Sequence, residues 1–402
     1  MKKSGTLRNR LFDIGWVIFL LTQLMTLTAW YALDDSSFKV TAYKVVTLLT
    51  CAIFAAVIVI NIIKRAYPVK TFICYVLFGL VCLASWYFNG STLLIVTFLI
   101  LMAAYELDGR RVILMSCVIT GVFLFFTAAF SEIGITENYL FDVEFERPRY
   151  GLGFSWATIG PTLLFFFSLQ YIYLRKEYFR IWEAVIIEAV NVYMYLRTDT
   201  NLPFLLLSAF LVFFVVQGLF KNHWRALRHL KWLYYVLPVL ICGLTVALYI
   251  LINYRSEGWI NLWYEINDVL NNRLIYGRKA VMDYGWTLFG QQIEWVGSTI
   301  TGQTGVYNYV DCSYIRILLD QGIVFLIAVL AVYTRMMVRA VKAGDFWLVF
   351  IVIIVLIHSF TEPRLMDLTF NVIPLLAFLG LKGGAVRYSR NSLRAVFRET
   401  DD

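Results

Sequence analysis

The sequence predicts an all-α fold: a polytopic integral membrane helical bundle of about 12 transmembrane helices that forms one domain over residues 1–402. Hydrophobic residues make up 60% of the chain and charged residues only 15%, a balance too apolar for a soluble protein of this size. The mean hydropathy is +0.71. Apolar segments of about 20 residues, long enough to cross a bilayer, recur along the whole length. Neither a soluble domain nor a single membrane anchor accounts for this pattern.

The first predicted span begins at Leu11, after a basic N-terminus. Such a start is also typical of a secretory signal, but this run is long, lacks a clear small-x-small cleavage site and leads into further spans. We therefore expect it to be retained. Reading each apolar run up to its charged boundaries gives approximate spans at 11–33, 40–63, 70–88, 91–107, 112–131, 154–174, 181–196, 202–220, 232–253, 312–335, 346–361 and 368–381.

The basic residues indicate the orientation of the bundle. If the N-terminus is cytoplasmic, 24 of the 35 Lys and Arg residues fall at cytoplasmic ends, although the other side includes the two longest loops. This positive-inside pattern places both termini in the cytoplasm. The net charge of +8 is therefore mostly a topology signal, and it gives no reason to expect nucleic-acid binding.

The longest polar interval, residues 254–311, is predicted to be a large external loop between spans nine and ten. Apolar residues recur in it at helical spacing, which predicts an amphipathic helix lying on the membrane surface. These residues are Trp263, Ile266, Leu270 and Leu274. We expect Gly277 and Gly285 to interrupt that helix.

External arginines are candidate binding residues because the positive-inside pattern disfavours arginine on that side. A guanidinium binds phosphate oxygens bidentately and never loses its charge, which suits a phosphate-bearing lipid head group. The alternative is structural pairing with nearby acids such as Glu144, Glu146, Asp283 and Glu362. The external arginines close to span ends are Arg147, Arg149, Arg197, Arg273, Arg278 and Arg364.

The six cysteines lie mostly inside spans, without CxxC or paired spacing, so we expect no metal site, no disulfide framework and no cofactor. Charged residues also occur within the predicted spans. Arg316 and Asp320 are four residues apart and are predicted to pair on one helical face. Glu183 is expected to reach the cytoplasmic interface. Glu188 is expected to be a satisfied group inside the bundle, and a proton or substrate role is the alternative.

Four motifs occur in a fixed order on the external side. RPRYGLGF (147–154) precedes a span, RTDTN (197–201) follows one, NNRLIYGRKAVMDYGWTLFG (271–290) lies in the large loop, and VDCSYIRILLDQG (310–322) enters the next span. In order, spacing and common side they resemble the Wzy-type bacterial surface-polysaccharide polymerases, which belong to the O-antigen ligase superfamily. The likeness covers roughly residues 140–380.

The resemblance implies a metal-independent glycosyltransferase of the bacterial cytoplasmic membrane, with a GT-C-like architecture. Its substrate would be an undecaprenyl-diphosphate-linked oligosaccharide on the outer face, and a chain-length regulator protein would be a further partner. The growing glycan would move from its lipid diphosphate to a sugar hydroxyl on a new lipid-linked repeat unit. Fixed arginines can stabilise the charge that develops on the leaving diphosphate. The residues proposed to bind the diphosphate are Arg147, Arg149, Arg197, Arg273 and Arg278.

The acceptor hydroxyl needs a base, or at least an oriented hydrogen-bond acceptor. Two of the three histidines are predicted to be cytoplasmic, and the third, His358, lies inside the eleventh span. O-antigen ligases have a His-Asn pair before a span, at the position where this chain has Asp311 and Cys312. Asp311 is therefore the first candidate base and Glu362 the second. The alternative interpretation of Asp311 is a helix N-cap.

The RTDTN motif departs from the family's usual Thr-x-Ser-Arg pattern. If Thr198 and Thr200 match its Thr and Ser, Asn201 stands in place of the arginine. Arg197 would then substitute from the other end of the turn.

Two other functions are compatible with the sequence. A lipid-linked oligosaccharide flippase could also have about twelve spans, but it would be expected to contain internal repeats, and we detect none. A glycan ligase that uses a non-repeat acceptor would carry nearly the same motifs as a polymerase.

Overall fold

The computed structural model describes residues 4–34, 36–141, 148–219, 231–250, 257–297, 300 and 305–380. In these ranges the chain is almost entirely α-helical, with a single two-stranded hairpin. Five of the described helices are long and apolar enough to cross a membrane. The prediction of a multi-pass, all-α membrane protein is therefore confirmed at this level.

The elements follow one another with short connections. In the first half they are α1 (Ser4–Met25), α2 (Ala29–Leu33), α3 (Ser37–Ile63), α4 (Val69–Asn89), α5 (Thr92–Ala103), α6 (Gly109–Glu132), β1 (Leu140–Phe141), β2 (Arg149–Tyr150), α7 (Ile159–Arg175), α8 (Ile181–Thr198) and α9 (Asn201–Leu219). In the second half they are α10 (Lys231–Ile250), α11 (Glu257–Val269), α12 (Arg273–Tyr284), α13 (Ser313–Asp320), α14 (Ile323–Ala343) and α15 (Phe346–His358). Short 3₁₀ helices occupy Lys176–Tyr178 and Ile373–Ala377.

Hydropathy located most of these helices. Each predicted span up to 346–361 overlaps at least one helix. The prediction of a twelfth span at 368–381 is wrong for its described residues, which form turns and the 3₁₀ helix Ile373–Ala377 with buried side chains. This apolar run fills the core of the bundle. As an α-helix, about 14 residues would rise only about 21 Å, short of the bilayer core.

The tenth predicted span is broken into two helices at Gly322, which has a φ of +90°. The first backbone N–H groups of α14 have no partner within their own helix. The N–H of Ile323 donates to the Thr287 carbonyl at 3.0 Å, and that of Val324 donates to the Leu288 carbonyl at 3.1 Å. A segment of the long polar loop between α10 and α13 therefore satisfies the first N–H groups of α14.

Glycines allow the loop backbone to approach this break. A Cβ on Gly322 would lie 2.4 Å from the Gly290 nitrogen, and a Cβ on Gly290 would lie 2.2 Å from the Asp320 carbonyl oxygen. Gly290 also has a positive φ of +97°. Both distances are far below van der Waals contact, so a side chain at either position would collide with the facing backbone. Because both residues are glycine, the end of segment 285–290 can pack directly against the junction of α13 and α14.

Two helices of the external loop, α11 and α12, meet at an elbow. Asn271 and Asn272 adopt positive φ values of 51° and 63°, a conformation that asparagine tolerates better than most residues. The buried Asn267 stabilises the elbow, because its side-chain oxygen accepts from the Ile275 N–H at 3.1 Å and its amide donates to Asn272. The chain therefore reverses where the sequence has NN.

The apolar face predicted for this loop does face the bundle. Trp263 is buried, and its indole N–H donates to the Leu248 carbonyl of α10 at 2.8 Å. Leu274 is fully buried. Gly285 ends α12 as predicted, but Gly277 lies inside the helix, so the prediction that it interrupts the helix is wrong.

Polar contacts join neighbouring segments at each end of the bundle, and at one end both partners, Lys176 and Asp345, are predicted to be cytoplasmic. At one end of the bundle, Asn89 donates to the Asp320 carbonyl at 2.8 Å. At the other end, Lys176 pairs with Asp345 at 2.5 Å. Helix α14 begins beside the first contact and ends beside the second, and its 21 residues span about 30 Å. The candidate site residues gather at the first end.

The predictions for charges within the spans agree with the structure. Arg316 pairs with Asp320 at 2.6 Å. Glu183 is buried and pairs with Arg175 at 2.8 Å, at the end opposite the candidate site. Glu188 accepts from the Ser208 hydroxyl at 2.6 Å and from the Asn191 amide at 3.2 Å, so its carboxylate is satisfied.

Candidate functional site

One arginine and two carboxylates meet where three chain segments converge. Arg273 opens α12, Asp311 precedes α13, and Glu362 lies in the turn after α15. Arg273 Nε donates to Asp311 Oδ2 at 2.9 Å, and Nη2 donates to Glu362 Oε1 at 3.4 Å. The Arg273 side chain is 18% exposed and the Glu362 side chain 7%. We call these three residues the arginine–carboxylate cluster.

Close packing between α12 and α10 holds Arg273 in the cluster. Gly277 lies one turn after Arg273, and a Cβ there would be 2.2 Å from Cε1 of Tyr249. The Tyr249 ring is fully buried, so it has little freedom to move aside. Glycine at this position therefore allows the start of α12 to lie against the bundle.

Asp311 does not cap a helix. The N-cap of α13 is Cys312, whose side chain makes no capping hydrogen bond. The interpretation of Asp311 as an N-cap is therefore wrong, and its carboxylate turns towards Arg273 instead.

The backbone around Glu362 is fixed by hydrogen bonds. Its N–H donates to the His358 carbonyl at 3.1 Å. The Ser313 hydroxyl donates to the Glu362 carbonyl at 2.5 Å and accepts from the Leu365 N–H at 3.1 Å. Ser313 was missed from the sequence, since a serine at the start of a helix is ordinarily taken as a local cap. Here it ties the start of α13 to the turn that carries Glu362.

The protonation properties of the cluster suit acid–base chemistry. Burial raises the pKa of the Glu362 carboxyl to about 7; Asp311 adds to the rise, while the charges of Arg273, Arg364 and Arg149 oppose it. Burial lowers the pKa of the Arg273 guanidinium, but the charges of Asp311 and Glu362 outweigh this and raise it above its ordinary value. Arg273 therefore stays charged while Glu362 changes protonation near neutral pH.

Arg149 lies near the cluster and is held by the RTDTN turn. It sits in strand β2, where Phe141 of β1 pairs with it in a hairpin that the sequence did not predict. Its Nε donates to the Thr198 carbonyl at 2.9 Å, and Nη2 donates to the Thr200 hydroxyl at 3.2 Å. Its charge is close enough to lower the pKa of Glu362. Two motifs that the sequence linked only by their order therefore meet in space.

Two of the other arginines proposed from the sequence, Arg197 and Arg278, lie apart from the cluster. Arg197 pairs bidentately with Glu132 at 2.9 and 3.1 Å and lies 4.0 Å over the Tyr150 ring, so it has the structural role that the alternative interpretation described. Arg278 is half-buried in α12, five residues after Arg273. At 3.6 residues per turn this rotates the two side chains apart by about 140°. Arg147 lies outside the described residues, as do Glu144 and Glu146.

The charges of the cluster limit what Arg273 can bind. With both carboxylates ionised, Arg273, Asp311 and Glu362 carry a net charge of −1, and Arg149 brings the total to zero. A guanidinium paired with two carboxylates attracts a further anion weakly. Arg273 is thus better placed to orient the carboxylates than to bind a diphosphate on its own.

Among the described residues, no group of three or more His, Cys, Asp or Glu side chains could hold a metal ion. Comparisons with protein-family models, with curated proteins and with solved structures found no match. The function must therefore be inferred from the site itself.

Proposed function

We propose that the protein is a polysaccharide polymerase that acts on undecaprenyl-diphosphate-linked oligosaccharides at the outer face of the bacterial cytoplasmic membrane. The observation that carries the proposal is the convergence of Arg273, Asp311 and Glu362 at one end of a membrane helical bundle, with Arg149 beside them. These residues come from three of the motifs that resemble Wzy-type polymerases and from the turn that follows them.

In the proposed reaction, the Glu362 carboxylate takes the proton of the acceptor hydroxyl, and Asp311 and Arg273 orient that carboxylate. The acceptor oxygen forms a bond to the anomeric carbon of the growing glycan. The bond from that carbon to the lipid diphosphate breaks, and undecaprenyl diphosphate leaves with the electron pair. Arg149 stabilises the negative charge that develops on the leaving group.

The proposal includes the finer architecture that the resemblance implies. The bundle would have a GT-C-like arrangement, with both termini cytoplasmic and residues 254–311 outside. The positive-inside pattern supports this orientation, as does the contact between Lys176 and Asp345, two residues predicted to be cytoplasmic. A chain-length regulator protein would bind as a partner.

The direct test uses purified protein in liposomes supplied with lipid-linked repeat units. We expect a ladder of extended glycans from the wild-type protein. Replacing Glu362 by Gln removes the base and is expected to slow extension by about 10²–10⁴-fold. Lys279→Gln, an exposed position on α12, serves as the control and should leave the rate unchanged.

Each alternative function gives a different result in this assay. Translocation of the lipid-linked units without extension would indicate a flippase, and transfer only to a non-repeat acceptor would indicate a ligase. Full extension by the Glu362→Gln variant would exclude Glu362 as the base.

A further inference from the structure

A cavity of about 280 Å³ lies beside the arginine–carboxylate cluster, and its lining includes Ser313, whose hydroxyl donates to the Glu362 backbone carbonyl. It is bounded by the start of α5, by α13 and by the turn that follows Glu362. Its polar lining includes Ser91, Tyr309, Arg316, Asp320, Gln321 and Arg364. The reaction proposed above assigns no role to these residues.

The charges of the cavity lining balance. Arg316 pairs with Asp320 at 2.6 Å, and Arg364 pairs with Asp367 at 2.8 Å. An anion entering the cavity would therefore meet two carboxylates as well as two guanidinium groups. This balance disfavours phosphate as the ligand.

The paired residues retain unused hydrogen-bonding atoms. Nη1 of Arg316 and Nε of Arg364 are buried donors without a hydrogen-bond partner among the described residues, and Oε1 of Gln321 is a buried acceptor in the same state. All three residues line the cavity, so a ligand there would meet side chains that donate hydrogen bonds and one that also accepts them. Sugar hydroxyls both donate and accept hydrogen bonds, whereas a phosphate dianion only accepts them.

Aromatic rings hold the Arg316–Asp320 ion pair of the cavity lining in place. Arg316 lies 4.3 Å from the Trp295 ring centroid and 4.7 Å from that of Tyr309. The Trp295 indole N–H donates to Asp320 at 2.8 Å, so both members of the ion pair are held. Planar guanidinium, carboxylate and aromatic groups together suit a ring that has both polar edges and apolar faces.

We propose that this cavity binds one sugar ring of the lipid-linked oligosaccharide, a role that rests on the proposed function. At about 30 Å³ per water, the cavity holds about nine water molecules, which is room for a single sugar ring. Ser313 links the cavity to Glu362, so a ring bound there would hold the rest of its glycan near the arginine–carboxylate cluster.

The test measures protection of a thiol introduced into the cavity of the purified full-length protein. In the Ser91→Cys variant, peptide mass spectrometry follows labelling of the thiol by a water-soluble reagent. Ser91 makes no side-chain capping hydrogen bond, so the substitution leaves the helix start intact. The probes are the methyl glycosides of glucose, galactose, mannose and N-acetylglucosamine, and inorganic pyrophosphate is the comparison. We expect at least one glycoside to slow labelling and pyrophosphate to have no effect.

A second substitution assigns the protection to the cavity. Gln321→Met removes the unused acceptor at nearly constant volume and should raise the half-protecting glycoside concentration about three- to tenfold. Gln292→Met is the matched control, because Gln292 is exposed and lies outside the cavity lining. If the Ser91 variant does not fold, Thr97→Cys places a thiol in the same lining.

The outcomes separate this proposal from the proposed function. Protection by pyrophosphate alone, or by no probe, overturns the sugar site. Labelling requires no turnover, so protection by a glycoside without chain extension would refute the polymerase function and leave the sugar site standing. Chain extension without glycoside protection would refute the sugar site only.

Discussion

The guanidinium of Arg273 lies 2.9 Å from the carboxylate of Asp311, although 38 residues separate them in the chain. This contact joins the external-loop helix α12 to the start of α13, and Glu362 completes it from a third segment. All three side chains are mostly buried, so each charge depends on the others for compensation. Removing one member therefore has consequences that can be measured separately for stability and for activity.

Replacing Arg273 by Met should destabilise the protein and abolish chain extension. Two partly buried carboxylates would lose their counter-charge, at a cost of about 1–3 kcal/mol. Thermal unfolding of the purified protein in detergent gives the change in stability, and the liposome assay gives the activity. Lys279→Met, an exposed substitution on the same helix, is expected to change neither.

A double substitution shows whether the pairing of Arg273 with Asp311 is responsible for the loss of stability. Adding Asp311→Leu to Arg273→Met removes one uncompensated carboxylate, so stability should recover in part while activity stays lost. Strictly additive losses would mean that Arg273 and Asp311 do not interact energetically.

The raised pKa of Glu362 predicts a pH-dependent reaction rate. If the Glu362 carboxylate is the base, extension should rise as the pH passes through about 7, where this group loses its proton. The measurement is the rate of extension in liposomes at saturating substrate over a range of pH. In Asp311→Asn the charge that helps to raise this pKa is gone, so the rise should move to lower pH. A rate that is flat across neutral pH would exclude Glu362.

The same pKa predicts the sign of the pH effect on stability. The folded protein keeps the Glu362 proton up to about 7, whereas the unfolded chain releases it near the ordinary value of 4.5. Between these values the folded state binds more protons, so the contribution of this group falls as the pH rises. Glu362→Gln should remove that decline from the pH profile of thermal unfolding. An unchanged profile would show that the group is not buried as a neutral acid.

Much of the fold could be predicted because hydropathy reports burial in lipid or protein directly. The break at Gly322 could not be predicted, since apolar residues continue on both sides. The glycine is needed for its positive φ and for the close packing of residues 287–290, and both depend on tertiary structure. At segment 368–381 the error is the reverse: hydropathy predicts a membrane span that the described residues do not form. Its side chains are as apolar as a membrane span, but the described part fills a protein core.

The candidate site was predictable only in part, because hydropathy and charge give the topology but not the tertiary contacts. Topology places Arg273, Asp311 and Glu362 on one side, but it does not give the distances between them. Arg197 belongs to the same side, and it pairs with Glu132, 65 residues away, because α6 and α8 end close together. Sequence reveals which charges share a surface, whereas tertiary packing decides which of them pair.

Gly277→Ala should displace Arg273 without touching any charge. A methyl group would lie 2.2 Å from the buried Tyr249 ring, so α12 must move away from α10. We expect a loss of about 1–3 kcal/mol, typical of overpacking, and a large loss of chain extension. Gly258→Ala in α11 is the matched control, because nothing lies within 4 Å of its Cβ and alanine favours the helix by about 1 kcal/mol. If both variants extend chains normally, the position of α12 does not matter for activity.

Gly322→Ala should loosen the external loop from the bundle. Gly322 and Gly344 both have positive φ, +90° and +69°, but their ψ values differ: Gly344, at 19°, is in the left-handed helical region, whereas Gly322, at 170°, is in a region that is essentially restricted to glycine. Alanine is therefore strained at both positions, and more so at Gly322. They differ in their surroundings: nothing lies within 4 Å of a Cβ on Gly344, whereas one on Gly322 would press on the Gly290 nitrogen at 2.4 Å. Gly344→Ala therefore controls for a positive φ alone, and the loop contact must be followed at the loop itself.

The contact between Gly322 and the loop backbone can be followed by hydrogen exchange as well as by measurements of stability. The N–H groups of Ile323 and Val324 donate to loop carbonyls at 3.0 and 3.1 Å, so they should exchange slowly in the wild-type protein. In Gly322→Ala the loop backbone must retreat, and both amides should exchange faster, along with faster proteolysis within residues 285–297. In Gly344→Ala the same amides should keep their protection. Equal protection in both variants would mean that the loop is held by other contacts, such as Trp295 with Asp320, and that the glycines only permit the turn.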